Sequence, residues 1–106
     1  MKIKSVKGTN DYLPEQARIR DYLQNKILEV YTENGFEHII TPVIEDAENL
    51  DKSEGGENLN LIFKILKRGD KLTKAIENGN MNELSDIGLR NDLTLPLSRY
   101  YANKLS

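Results

Sequence analysis

The chain predicts an α+β fold with helices on one side of a mostly antiparallel sheet, and three observations carry that prediction. An apolar stripe at helical spacing occupies residues 14–34. A run rich in β-branched and aromatic residues follows at 36–44, with further strand candidates at 61–66 and 87–90. A further helical pattern begins at Thr94.

The first helix is announced at both ends. Gly8 allows a turn in the leading stretch Lys7 to Leu13. Pro14 suits the first helical position, and Glu15 complements the helix N-terminus. Asp11 is placed to accept backbone N–H bonds there. Ile19, Tyr22, Leu23, Ile27, Val30 and Tyr31 recur at spacings of three and four, which is one apolar face. Asn34-Gly35 is the stop, since glycine takes the left-handed conformation at low cost.

Phe36 to Ile44 then reads as a strand. Pro42 has no N–H to give a ladder, so the strand should lie at an edge or pair on one side only. A bare edge beside a long helix is a plausible dimer surface. His38, the only histidine, reads as a polar residue on the exposed face of this strand rather than as a base or a metal ligand, because metal sites need several ligands together.

Residues 45–60 carry six acids (Glu45, Asp46, Glu48, Asp51, Glu54, Glu57), one lysine and the pair Gly55-Gly56. Such a run is expected to be a solvated connection, and its spacing does not match a calcium loop. Leu61 to Leu66 is the second strand and Ile87 to Arg90 the third. Between them, residues 67–86 are polar, with a short helix expected from Asp70 to Glu77, and form a small insertion. Thr94 to Leu105 is the last helix, with Leu97, Tyr101 and Leu105 spaced by four.

Composition narrows the function classes. With 106 residues, one domain with one modest core is expected. The chain is 38% hydrophobic and 30% charged, which argues against wholesale disorder. A net charge of −2 gives no basic excess for gripping nucleic acid within this segment. The absence of cysteine removes disulfides and thiolate chemistry and fits a reducing compartment. No apolar run approaches the roughly 20 residues that span a bilayer, and the N-terminus lacks a signal-peptide core. The expected location is cytoplasmic.

The stretch Leu89 to Tyr100 carries the chemistry. Asp92 and Thr94 lie two apart where a strand ends and a helix begins. In an extended segment they would share a face and meet one ligand. A carboxylate beside a hydroxyl is a receptor for an amine. The same residue types also serve as helix caps, and that reading stands beside the first.

Three pieces in this order resemble a known family: Lys7-Gly8-Thr9-Asn10-Asp11-Tyr12-Leu13-Pro14, the run Gly35 to Glu45, and Leu89 to Tyr100. Together they are similar to the N-terminal part of the catalytic domain of the histidyl-tRNA synthetases, class II aminoacyl-tRNA synthetases. The resemblance covers nearly the whole chain. It implies a class II antiparallel sheet with helices, of which this chain holds only the first part. It implies a homodimer interface built from the helix and strand at about 14–45 (Phe36, Ile40 and Pro42 among its residues), and a histidine-pocket segment at about 89–101.

Asp92 and Thr94 match positions that bind the substrate histidine, and Arg90 and Arg99 match recurring arginines that support the site. Asn91 departs from the aromatic or proline residue more usual there, and residues 67–86 look like an expanded hairpin. The implied partners are L-histidine and its tRNA, and the implied cofactors are ATP and Mg2+ for a full-length enzyme, with none bound by this segment alone. No resident metal site and no catalytic residue are expected within it. The family's ATP-binding motifs and its anticodon-binding domain lie beyond Ser106, so the segment alone is expected not to activate histidine. The alternatives are the regulatory subunit of ATP phosphoribosyltransferase, which resembles the same domain, and a non-catalytic dimerisation module. The helical pattern that runs to Ser106 fits either a natural end or a cut from something longer.

Overall fold

The computed structural model describes residues 2–53 and 61–105. Glu54, Gly55, Gly56 and Glu57 of the acidic run lie outside the described residues. The chain divides into two compact units, residues 1–39 and 40–106.

The first unit is a leading segment and one helix, α1 (Pro14–Glu33). Thr9 N–H donates to Val6 O at 2.9 Å to close the early turn. The free N–H of Leu13 at the head of α1 is taken by Gln16 Oε1 at 2.9 Å, not by Asp11. Gln16 sits one turn into the helix, where a side chain reaches back without strain. The Arg20 guanidinium lies 4.2 Å from the centroid of the Tyr12 ring, tying the leading segment to the helix. At the far end Gly35 has φ +87°, and Phe36 N–H returns to Tyr31 O at 3.0 Å. The Phe36 ring then meets Tyr31 edge-on, with centroids 5.4 Å apart. The apolar face of α1 is nevertheless bare: it buries no residue, and Ile19, Tyr22, Leu23, Ile27, Val30 and Tyr31 are all more than half exposed.

The second unit holds a three-stranded antiparallel sheet of order β1-β3-β2, formed by β1 (Ile44–Asp46), β2 (Lys64–Leu66) and β3 (Ser85–Leu89). Helix α2 (Ala47–Ser53) follows β1, α3 (Gly69–Asn78) and a 3-10 helix (Met81–Glu83) join β2 to β3, and α4 (Thr94–Leu105) follows β3. Opposite β1, Glu45 faces Gly88. Opposite β2, Lys64 also faces Gly88, and the register slips between Ile65 and Leu66 so that Leu66 faces Ser85. One extra residue on β3 makes this a bulge.

Gly88 is in the central strand for a packing reason. A Cβ there would meet Leu50 Cδ1 and the Phe63 carbonyl oxygen, each at 3.0 Å. The core is small: Ala47, Leu50 and Ala75, with Pro96 of α4 also fully buried.

Two expectations are corrected. Residues 36–43 form no strand, and only Ile44 of that run joins the sheet. Strand propensity needs a paired neighbour to be realised, and here Pro42 has no N–H to donate to a ladder. Ile40 and Pro42 are exposed outside any ladder, as is His38. The acidic run is likewise not a connection at its start. Glu45 and Asp46 are in β1, Ala47 to Ser53 are helical, and Leu50 is only 1% exposed. Asp46 Oδ1 caps that helix by accepting from Glu48 N–H at 2.9 Å.

Candidate functional site

The site grows from the C-terminal end of the central strand. β3 ends at Leu89, the chain bends through Asn91, Asp92 and Leu93, and α4 starts at Thr94. Asp92 and Thr94 are thus brought together by a turn rather than by an extended segment. Asp92 Oδ1 accepts from Thr94 N–H at 3.0 Å. This is the capping contact that aspartate makes readily, two residues along its own backbone. It leaves chemical capacity, because a carboxylate has about four acceptor positions and the bond to Thr94 N–H takes one of them. Both Asp92 and Thr94 are exposed.

Arginines hold the turn on either side. Arg90 Nη1 donates to Thr41 O at 3.2 Å, Thr41 Oγ1 at 3.1 Å and Pro42 O at 3.3 Å, and its backbone N–H donates to Val43 O at 2.8 Å. It fastens the run ahead of β1 to the end of β3. Arg99, in the second turn of α4, donates from Nε to both oxygens of Glu45, at 2.9 and 3.0 Å. Its Nη2 is buried with no hydrogen-bond partner among the described residues. Arg90 and Arg99 are therefore both engaged in bonds that shape the turn.

Glu45 is what sequence reasoning missed. Its side chain is 6% exposed, although it opens an acidic run that reads as solvated. The available signal was the strand pattern before it: if Ile44 is in a strand, the next residue faces the opposite side of the sheet. Its partner lies 54 residues away, which no local pattern reveals.

The proposed interface residues are spread over both units. Phe36 belongs to the first and is exposed apart from its contact with Tyr31, while Ile40 and Pro42 belong to the second. In the first unit Leu28, Tyr31, Phe36 and His38 line an open groove of about 310 Å³. Among the described residues, no three His, Asp or Glu side chains are grouped to hold a metal ion, and no helix is long and apolar enough to cross a membrane.

Comparison with known proteins agrees with this architecture. A solved structure of apo Staphylococcus aureus histidyl-tRNA synthetase superposes on 98% of this chain and 24% of its own, with a TM-score of 0.68 and 24% identity, which shows the fold. The histidine–tRNA ligase of Leifsonia xyli subsp. xyli is 42% identical over 104 residues, covering 95% of this chain and 24% of the relative. That of Borrelia garinii subsp. bavariensis is 32% identical over 106 residues, covering 100% of this chain and 20% of the relative. The chain thus spans about a quarter or less of the length of these relatives. Residues 8–106 match the family described as histidyl-tRNA synthetase, and this chain belongs to that family.

Proposed function

We propose that this chain serves a histidine–tRNA ligase, in which histidine is activated with ATP and then transferred to its tRNA. Its share of the work is part of the amino-acid pocket and half of a homodimer surface. The observation that carries the pocket reading is the Asp92 carboxylate held against the start of α4 by Thr94 N–H at 3.0 Å. A carboxylate fixed this way accepts the α-ammonium of an amino acid through a charge-assisted hydrogen bond. The Thr94 hydroxyl supplies a second acceptor. Arg90 and Arg99 support the turn from either side. The Leifsonia and Borrelia relatives both carry ligase names, which favours this reading over the regulatory one.

The dimer reading rests on bare apolar surface. The α1 stripe and Phe36 are left exposed in the first unit, and an apolar face of this extent calls for a partner. We assign Phe36, Ile40 and Pro42 to that interface. The polar insertion at 67–86 adds α3 and the 3-10 helix.

The family implies ATP use. The arginines near the turn are committed to Thr41, Pro42 and Glu45, and we assign recognition to this chain and the phosphate chemistry to other groups of the enzyme. The test is histidine-dependent exchange of pyrophosphate into ATP by the 106-residue chain. The expected result is no exchange above background. Robust exchange would show that the chain holds a complete activation site and would overturn this division of labour.

A further inference from the structure

We infer that Glu45 is a positioning residue, whose buried carboxylate holds α4, and with it the Asp92–Thr94 turn, through Arg99. This rests on the reading of that turn as the amino-acid pocket and adds a residue to it that touches no ligand.

A carboxylate that is 6% exposed is unfavourable unless its charge is met. Glu45 meets that need with one guanidinium, both of its oxygens receiving Arg99 Nε. The dependence runs both ways. Arg99 Nη2 is buried and has no acceptor among the described residues, so the only hydrogen bonds described for this guanidinium are those to Glu45.

The two ends of this link are unequal in rigidity. Glu45 sits in β1 opposite Gly88 of the central strand, and Gly88 is packed against Leu50 and the Phe63 carbonyl. Arg99 stands on α4, five residues beyond Thr94, and the α4 positions Leu97, Tyr101 and Leu105 are all more than half exposed. The Glu45–Arg99 link, together with buried Pro96, therefore fastens the helix to the sheet. A pocket that recognises an amine needs its carboxylate held to a fraction of an ångström, and such precision comes from supporting groups of this kind.

The test reads the turn directly and needs no ligand. The solvent-exchange rate of the Thr94 amide, whose acceptor is Asp92 Oδ1, is measured by nuclear magnetic resonance in the wild-type chain and in four variants. Urea midpoints for each variant remove the contribution of global unfolding. Glu45→Gln removes the charge and one of the two acceptors of the Arg99 Nε–H, and Arg99→Lys keeps the charge but loses the planar donor. Both are expected to speed Thr94 exchange by about tenfold, the scale of one lost hydrogen bond. Asp92→Ala, which removes the acceptor, sets the upper limit. Glu48→Gln, which removes an exposed carboxylate 3.1 Å from Lys52, is expected to leave the rate unchanged.

Should Glu45→Gln fail to fold, Arg99→Lys carries the decision. Unchanged Thr94 exchange in the folded Glu45 and Arg99 variants, with faster exchange in Asp92→Ala, overturns the inference. Because the amide is read without histidine, failure of the pocket reading would appear separately, as absence of histidine binding in the wild-type chain.

Discussion

The two units of this chain solve the burial of apolar surface in opposite ways. The first has the longer helix and the weaker core: α1 is twenty residues long with an apolar stripe, yet it buries nothing. The second has shorter elements, yet it closes a sheet over Leu50, Ala47, Ala75 and the Glu45–Arg99 pair. The lesson is that periodicity reports which face of an element wants cover. It does not report whether the same chain supplies it. In the second unit Glu45 and Arg99 meet from 54 residues apart in sequence, while in the first the stripe is left exposed.

The comparison can be broken most forcefully at Leu50. Leu50→Ala removes the side chain that touches the central strand and is 1% exposed, so it should cost about 3 kcal/mol of stability in urea unfolding. A loss below about 1 kcal/mol would mean that the second unit is not organised around it. Gly88→Ala should follow at about 2 kcal/mol, because the new methyl meets a backbone oxygen that cannot move aside without shifting β2. Its cost is read in the same unfolding experiment, and a neutral result would show that the strands do not approach that closely. Asp92→Ala should cost about 1 kcal/mol through loss of the bond to Thr94 N–H.

The smallest stability effect belongs to the first unit. Ile27→Gln, at a position 55% exposed, should change the unfolding free energy of the monomer by less than about 0.5 kcal/mol. The same substitution should reduce self-association in sedimentation. A large loss of monomer stability would show that α1 is already covered within one chain. Unaltered association would remove α1 from the interface.

What the sequence made legible follows the same division. Both ends of α1 could be read, because Pro14 and Asn34-Gly35 act locally. So could α4, from Thr94 to Leu105, and the short α3. The strands at 61–66 and 87–90 are present in shortened or shifted form, as Lys64–Leu66 and Ser85–Leu89. The run 36–44 misled, since its composition favours a strand but only Ile44 of it enters the sheet.

At the site, Asp92 and Thr94 were legible as a pair, although a bend rather than a strand joins them. The partners of Arg90 and Arg99 were not legible, because Thr41 and Glu45 lie 49 and 54 residues away. Glu45 illustrates the limit most clearly. Its charge and its acidic neighbours point to solvent, and only the sheet places it inside.

The central claim is that Asp92 belongs to a pocket for an amino acid. Calorimetric titration of the chain with L-histidine, beside the Asp92→Ala variant, tests it most directly. The account predicts saturable binding that is lost in Asp92→Ala while the variant remains folded. Binding that survives the substitution unchanged, or no binding by the wild-type chain, would contradict it.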